Sequence, residues 1–313
     1  MTARPVLELR ARTRSALRRV FEDRGFLEVD TPVLSQEVLP EPHIDPLVVD
    51  DPRGGRRYLQ ASPEALMKRL LAAGSGPIYQ FARSFRSGER GDWHDEEFVL
   101  LEWYEPTATL TETAGLLDEL CAATLGSRGL ERIGCSEAFG LHAGVDPLAA
   151  DAAALEAALG RAGVRPPAGH ESLPGPDRWD RAFELLLALV VQPRLGRGRP
   201  TMLEDWPPSQ AAFARIAAGV ARRFELFAEG VELANGWEED PRREPLVDRI
   251  TAANRSRQAD GRDMLPVPER LLAAHGAAMP EGVGAALGFD RLVVLAGRGT
   301  GLAAARWFPS DAV

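Results

Sequence analysis

The segment 85–98 contains the residue types that bind a nucleotide triphosphate. It places arginines, a histidine, carboxylates and glycines in a loop between two strand-like stretches. Arginine and glycine in such a loop suit phosphate groups, and Phe98 could stack on a base. A solvated charged hairpin has the same composition, and this segment alone favours that second interpretation.

Glu102 and Tyr104 follow on the second of these stretches, and together they suit an ammonium group. Their spacing of two places both side chains on one face of a strand and sends Leu101 and Trp103 to the other face. A carboxylate and a phenol that face inward together fit an ammonium ion. A paired carboxylate at the surface explains the segment equally well.

Three further acidic residues, Glu225, Glu232 and Glu239, are spaced by seven. A turn predicted at Ala228-Glu-Gly would reverse the chain, so that the first two carboxylates could converge. Converging carboxylates suit a hard cation such as Mg²⁺, particularly beside phosphates. From spacing alone, three unrelated surface acids in a chain with 46 acidic residues are the better interpretation.

The segment Gly284–Leu292 is predicted to open a helix. Its small residues permit close approach of the backbone, and Arg291 could clamp a phosphate. A glycine-bearing turn between a strand and a helix, with a salt bridge in the core, is the alternative. No histidine and cysteine spacing in the sequence indicates zinc, and no Ser/His/Asp set stands out.

The composition of the 313 residues, 45% hydrophobic and 27% charged, is typical of a soluble globular protein. The net charge of −9 argues against a dominant nucleic-acid-binding surface, which needs clustered lysine and arginine. The first residues lack the apolar segment of a signal peptide, and the longest apolar run, near 185–191, is too short to span a bilayer. We therefore expect a cytoplasmic protein with no membrane partner.

Hydrophobic periodicity and turn residues predict the elements that must position these side chains. The predicted helices cover 7–24, 62–74, 109–126, 181–191, 209–222, 245–258 and the segment after Gly284. The predicted strands lie at 26–32, 47–49, 77–85, 97–104, 224–227 and 231–233. The stretch 127–180 is interpreted as a variable helical insertion. Strand pairs without regular βαβ alternation predict an α+β fold with an antiparallel sheet.

In chain order, three segments resemble the signature motifs of class II aminoacyl-tRNA synthetases. Residues 21–32 resemble motif 1, the helix and strand of the dimer interface, residues 85–98 resemble motif 2, and residues 284–292 resemble motif 3. Ser62-Pro63-Glu64, Glu102-Trp-Tyr104 and Glu232-Leu-Ala-Asn235-Gly are similar to the lysyl-tRNA synthetase core. On these motifs the chain is identified as a member of the lysyl-tRNA-synthetase-like ligases that modify elongation factor P.

The resemblance implies a class II synthetase-like antiparallel sheet flanked by helices, in one catalytic domain over residues 1–313 that forms a homodimer. An N-terminal anticodon-binding OB domain is not expected, because motif 1 begins close to the N-terminus, and tRNA is not expected as a partner. The implied cofactors are ATP and Mg²⁺. The implied reaction activates (R)-β-lysine or lysine as an adenylate and transfers it to a lysine ε-amine of elongation factor P.

Two alternatives stay open at this point. One is a stand-alone paralogue of lysyl-tRNA synthetase that charges another acceptor. The other is a non-catalytic paralogue that binds a nucleotide.

The resemblance also implies the residues of the site. Arg86 at the α-phosphate and Arg291 at the far phosphates would be catalytic. The ATP site would comprise Arg86, Glu89, His94, Asp95, Phe98, Glu232, Leu233, Gly288 and Arg291. The amino acid would contact Ser62, Glu64, Glu102, Tyr104, Asn235, Glu239 and Ala286. Mg²⁺ would be held by Glu225 and Glu232.

Several positions depart from the motifs. Gly88 stands where motif 2 usually has Glu, and Asp95 and Glu96 replace Asn and Pro, so the nucleotide contact of the Asn becomes a carboxylate. Ala286 stands where synthetases usually have glycine and the ligases have alanine. We hypothesise that its methyl group reshapes the amino-acid pocket toward a β-amino acid.

Overall fold

The computed structural model describes residues 3–306 and 308. Its helices are α1 (Ala3–Asp23), α2 (Glu64–Ala72), α3 (Leu110–Leu125), α4 (Cys135–Ala143), α5 (Ala152–Arg161), α6 (Gly175–Leu186), α7 (Arg243–Ala259), α8 (Glu269–Ala274) and α9 (Phe289–Ala296). Its strands are β1 (Leu27–Glu28), β2 (Leu34–Ser35), β3 (Val48–Asp50), β4 (Arg56–Leu59), β5 (Ile78–Phe85), β6 (Glu97–Pro106), β7 (Glu131–Gly134), β8 (Thr201–Trp206), β9 (Ile216–Ala217), β10 (Val220–Ala228), β11 (Val231–Glu238) and β12 (Gly282–Gly288).

The chain divides into two compact units. The first comprises the residues up to Thr109 and those from Glu239 onward, with 123–125, and the second comprises the rest of 110–238. One catalytic domain over the whole chain therefore stays a prediction. Among the described helices, none combines the length and the apolar content needed to cross a bilayer.

The first unit is organised by the antiparallel hairpin of β5 and β6, which confirms the predicted strand pair. The register runs from Ile78 opposite Tyr104 to Phe85 opposite Glu97. β12 lies antiparallel on the other side of β6, β1 lies parallel to β5, and β2, β4 and β3 form a separate small antiparallel sheet. β6 is thus a central strand, and six successive residues of it are buried.

Alternation along this hairpin separates an aromatic core from a polar face. Phe21 of α1 stacks on Tyr79 with the ring centroids 4.6 Å apart, and it lies 5.6 Å from the ring of Trp103. Tyr79 and Trp103 are cross-strand partners, so their side chains share a face. Trp103 and Tyr104 therefore point to opposite faces, as the sequence predicted.

The second unit contains strands β7 to β11 and a hydrophobic core of its own. β11, β10 and β8 are antiparallel, β7 lies parallel to β8, and β9 forms a short hairpin with β10. Phe183 of α6 stacks on Phe139 at 4.8 Å and on Trp179 at 5.4 Å, and it meets Trp206 edge-on at 5.9 Å. The α+β class is confirmed. The predicted antiparallel pairing holds except for the parallel pairs at β1 and β7.

The helix predicted over 209–222 is wrong. Residues 208–210 form one short 3-10 turn, and the chain then enters β9 and β10. Ala218 and Gly219, both with positive φ, form the turn between these strands. Alanine favours a helix, but pairing with β8 buries Ala221 and Phe224 completely. Burial thus outweighs the small helix preference of alanine.

Two other boundaries differ from the predictions. Residues 282–288 form a strand because they pair with β6 along their whole length, and the last helix begins only at Phe289. The predicted strand at 26–32 is reduced to two residues beside β5. The stretch 127–180 contains α4 and α5 as predicted, and also the strand β7, whose four residues give too short a pattern to recognise.

Candidate active site

The start of α2 is tied to the middle of β6 by Ser62. Its hydroxyl accepts a hydrogen bond from the backbone amide of Glu64 at 3.0 Å and donates one to Glu102 Oε2 at 2.7 Å. Ser62 directly precedes the N-cap of this helix, which is Pro63. Because the hydroxyl also holds Glu102, the first turn of α2 is fixed against β6.

Glu102 and Tyr104 meet on the face predicted for them. The Tyr104 hydroxyl donates to Glu102 Oε1 at 2.7 Å, so both carboxylate oxygens of Glu102 accept a hydrogen bond from a hydroxyl group. Glu102 and Tyr104 are buried, with 2% and 3% of their surface exposed. The site therefore contains an oriented carboxylate that is removed from water.

Lys68 is the residue that the sequence analysis missed. Its ammonium lies 2.7 Å from Glu64 Oε1 and 2.7 Å from Glu239 Oε2, and its side chain is 3% exposed. Two signals could have identified it. Lys68 follows Glu64 by four residues on a helix, and it is the one lysine in a chain that otherwise uses arginine. A compact ammonium fits between two carboxylates where a wide guanidinium would not.

These residues form one carboxylate cluster, defined here as Ser62, Glu64, Lys68, Glu102, Tyr104 and Glu239. The small residues of β12 close it on one side. A methyl group built at Gly284 would lie 2.3 Å from Tyr104 Cε1 and 2.5 Å from Glu239 Oε1, so only glycine fits there. Ala286 is the cross-strand partner of Glu102, so its methyl group points to the same face.

The cluster holds three buried carboxylates and one ammonium. Burial, together with the charge of Glu64, raises the pKa of Glu102 to about 8. Burial opposes the charged form of Lys68, but the charges of Glu239 and Glu64 outweigh that effect and raise the pKa of Lys68. At neutral pH Lys68 is therefore charged, and Glu102 holds a proton until another cation arrives.

Burial also raises the pKa of Tyr104 well above its usual value, and the charge of Glu102 adds to the effect. The Tyr104 hydroxyl therefore stays protonated and remains a hydrogen-bond donor to Glu102. With Glu102 ionised, the charges of the cluster sum to −2. Two ammonium groups would balance that sum.

Arg86 stands at the end of the β5–β6 hairpin with its guanidinium over an aromatic ring. Its guanidinium carbon lies 5.0 Å from the centroid of Phe98, and Nη1 lies 3.7 Å from Glu89 Oε1. Its Nε is buried and has no hydrogen-bond partner within the part of the chain that the structure describes. Buried donors are rarely left unpaired, so this atom is suited to an anionic ligand.

Arg291 joins the first turn of α9 to the loop that precedes β6. Arg291 Nη2 lies 2.8 Å from His94 Nε2, and Arg291 Nε donates to the Trp93 carbonyl at 3.2 Å. A guanidinium has only donors, so His94 Nε2 is the acceptor of this hydrogen bond. Gly288 caps α9 in an extended conformation. The structure thus brings the predicted residues of motifs 2 and 3 together.

The three residues of this loop that differ from motif 2, Gly88, Asp95 and Glu96, each have a structural role or a partner. Gly88 has φ +76°, a conformation that favours glycine, and its amide donates to Glu96 Oε1 at 2.9 Å. That hydrogen bond and the one from Arg90 lower the pKa of Glu96. Asp95 pairs with Arg306, which the sequence analysis did not consider. A direct contact of Asp95 with a nucleotide stays a prediction.

The predicted metal residues lie in the second unit. Glu229 and Gly230 both have positive φ and form the two-residue loop between β10 and β11, which confirms the predicted reversal. Glu225 is opposite Asn235, and Glu232 is opposite Phe227 beside a β-bulge. Leu233, predicted at the nucleotide, is buried. Convergence of Glu225 and Glu232 on a metal stays a prediction.

The two glutamates of this strand pair supply carboxylate oxygens, the ligand type that suits hard cations such as Mg²⁺. Within residues 3–306 and 308, no group of three or more His, Cys, Asp or Glu side chains could hold a metal ion. Mg²⁺ is commonly bound by one or two carboxylates plus substrate phosphates, so two glutamates suit it. Arg223 binds Glu225 Oε1 at 2.5 Å and donates to Asn235 Oδ1 at 3.2 Å, which orients both side chains.

Comparison with known proteins identifies the family. Residues 2–312 match the family described as tRNA synthetases class II (D, K and N). The chain belongs to this family. Relatives named elongation factor P--(R)-beta-lysine ligase include one from Edwardsiella ictaluri, 41% identical over 93% of this chain and 91% of the relative. Relatives with the same name from Enterobacter sp. (39% identical, 93% and 91%) and Erwinia tasmaniensis (41%, 92% and 89%) also match.

Membership of the class II synthetase family confirms the resemblance stated from the three motifs. Enzymes of this class use ATP, generally with Mg²⁺. Arg86 and Arg291 of the first unit are cations of the kind that stabilise phosphate charge in such chemistry. The individual roles of the site residues stay predictions.

Replacement of Lys68 by Met should destabilise the protein, because Glu64 and Glu239 would lose their buried counter-ion. We expect the free energy of unfolding to fall by about 3 kcal/mol or more at pH 8. Uncompensated carboxylates take up protons in the folded state, so the loss should shrink toward pH 5. Urea unfolding at both pH values measures it. Arg69→Met on the same helix is the control, and an equal loss in both variants would contradict the expected role.

Affinity for an ammonium ligand of the cluster should depend on pH through Glu102. An ammonium favours the ionised carboxylate, so below pH 8 its binding must displace a proton. As the pH is raised toward 8, the affinity for the ammonium ligand should therefore increase about tenfold per pH unit. Above pH 8 the affinity should level off. Calorimetric titration with a diamino acid between pH 6 and 9 measures this, and Glu102→Gln should remove the dependence. A wild-type affinity that is constant from pH 6 to 8 would contradict the assignment.

Proposed function

We propose that this chain is an ATP-dependent ligase that activates (R)-β-lysine as an adenylate and transfers it to a lysine ε-amine of elongation factor P. The carboxylate cluster is the observation that carries the proposal. With Glu102 ionised, the cluster carries a net charge of −2. A diamino acid supplies two ammonium groups, whose charge of +2 would balance it. Relatives about 40% identical over nine-tenths of the chain are named for this activity.

The amino acid would bind with both ammonium groups in the cluster. Glu64 would hold the amino group near the reacting carboxylate, and Glu102, Tyr104 and Glu239 would surround the distal ammonium. Asn235 would hold the carboxylate, since its Oδ1 accepts from Arg223 and its NH₂ group is a hydrogen-bond donor. Lys68 would hold Glu64 and Glu239 in place through its two ion pairs.

Adenylation requires no nucleophile from the protein. The substrate carboxylate attacks the α-phosphorus of ATP, the bond to the bridging oxygen of the β-phosphate breaks, and pyrophosphate leaves. Arg86 would neutralise the α-phosphate, and Arg291, paired with His94, would bind the departing phosphates. Phe98 would stack on adenine, and Glu89 would line its site. Positioning and charge neutralisation would supply most of the catalysis.

A magnesium ion would be held by Glu225 and Glu232. Bound there, it would neutralise phosphate charge. Transfer then completes the reaction: the neutral ε-amine of the acceptor lysine attacks the adenylate carbonyl, AMP leaves, and an amide forms. The attacking nitrogen keeps one of its two protons as the amide N–H and releases the other to solvent.

We further propose that the protein is cytoplasmic, since the proposed acceptor is a translation factor. We also propose that it forms a homodimer. Leu27 of β1 lies in the segment that resembles motif 1, and Leu7 lies on α1, whose last residues belong to that segment. The exposed fractions of Leu7 and Leu27 are 52% and 59%. Exposed leucines on both elements suit an isologous interface. tRNA is not proposed as the acceptor, because the chain carries a net charge of −9.

ATP–pyrophosphate exchange followed by acceptor labelling tests the proposal. Exchange should occur with (R)-β-lysine, and purified elongation factor P should then gain the mass of one β-lysine minus water. Arg86→Gln should abolish exchange, and Arg197→Gln, an exposed arginine of the second unit, should not. Exchange that labels tRNA or another acceptor would favour the stand-alone synthetase alternative. Failure to exchange with any amino acid, despite ATP binding, would favour the non-catalytic alternative.

Ala286→Gly should shift the preference from (R)-β-lysine toward α-lysine. The Ala286 methyl group faces the same side of the sheet as Glu102. One methyl group in a pocket changes the discrimination between two similar substrates by about tenfold or more. The ratio of kcat/KM for the two isomers in the exchange assay measures the shift. Ala285→Gly, the neighbouring substitution on the opposite face of β12, is the control. An unchanged ratio in Ala286→Gly would refute the hypothesis.

A further inference from the structure

Residues 301–306, after the last helix, pack against the loop that carries His94. The amide of Leu302 donates to the Asp92 carbonyl at 2.8 Å. A methyl group built at Gly301 would lie 3.0 Å from that same carbonyl, so the two segments are in close contact. A cleft of about 590 Å³ is lined by loop residues 90–95 on one side and residues 300–304 on the other.

A network of two aspartates and two arginines holds these segments together. Arg306 forms a hydrogen-bonded ion pair with Asp95, and both side chains are 11% exposed. Arg306 Nε lies 3.9 Å from Asp290 Oδ1, which also binds Arg10 Nη1 at 2.6 Å. Arg10 further donates to the Ala305 carbonyl at 3.1 Å. The formal charges of this aspartate–arginine network (Arg10, Asp95, Asp290 and Arg306) sum to zero.

The network adjoins the pair of residues assigned to the ATP phosphates. Asp95 directly follows His94, and Asp290 directly precedes Arg291, whose guanidinium binds His94 at 2.8 Å. The second oxygen of Asp290 accepts from the amide of Val99 at 2.9 Å, which ties the start of α9 to β6. A displacement of Arg306 would therefore free the loop on one side of the His94–Arg291 pair.

We infer that Arg306 is a positioning residue for the nucleotide site, acting through Asp95. It holds the loop so that His94 meets Arg291, and it neutralises the carboxylate that this chain carries at position 95. Without Arg306, the Asp95 charge would be uncompensated at a place where phosphates are proposed to bind, and like charges repel. The inference rests on the proposed binding of ATP and adds a residue that local sequence patterns do not indicate.

A double-mutant cycle tests the inference, with binding of ATP and Mg²⁺ measured by calorimetry. Arg306→Gln should weaken ATP binding about tenfold or more, and amino-acid affinity should change less than about twofold. Adding Asp95→Asn to Arg306→Gln should restore ATP affinity to within about threefold of the wild type, because the uncompensated charge is then removed. Arg83→Gln, which breaks an exposed ion pair with Glu97 on the same hairpin, is the matched control.

The outcomes separate this inference from the proposed function. Additive losses in the double variant, or equal losses of ATP and amino-acid affinity, would show a merely structural role and overturn the inference. A wild-type protein that binds ATP but fails to label elongation factor P would overturn the proposed function. The double-mutant cycle of Arg306 and Asp95 could still be measured in that case. A wild type that does not bind ATP would overturn both.

Discussion

The central constraint on this protein is the burial of three carboxylates beside one lysine. Water cannot screen these charges, so each oxygen must be satisfied by a protein group or by a ligand. Lys68 satisfies Glu64 and Glu239 from inside the fold, and the hydroxyls of Ser62 and Tyr104 orient Glu102. The remaining negative charge is the feature that an amine substrate can use. The proposed preference for a diamino acid rests on this charge balance.

The surrounding elements serve to keep that cluster rigid. Glu102 and Tyr104 lie on a central strand bonded on both sides, so their backbone has little freedom. Glu64 and Lys68 share one turn of α2, and the amide of Glu239 donates to the Gly282 carbonyl at the edge of β12. Gly284 leaves the space that Tyr104 and Glu239 occupy. The residues proposed to bind the nucleotide would depend in the same way on a second charged group, the aspartate–arginine network.

Sequence reasoning succeeded where short-range periodicity decides the structure. Alternation placed Glu102 and Tyr104 on one face and Trp103 on the other, and turn chemistry placed the reversal between Glu225 and Glu232. It failed where distant contacts decide. The alanine-rich stretch before Phe224 became strand because β8 buries it, and Arg306 reaches Asp95 across 211 residues. Lys68 was overlooked because a lysine four residues after a glutamate is typical of a solvated helix surface.

A crystal structure with bound (R)-β-lysine tests the central claim most directly. The account predicts that one ammonium of the ligand lies within hydrogen-bond distance of Glu102 and that Lys68 stays between Glu64 and Glu239. Both ammonium groups of the ligand should lie inside the carboxylate cluster. A ligand bound elsewhere, or a Lys68 side chain displaced so that the ligand takes its place, would contradict the charge balance on which the account depends.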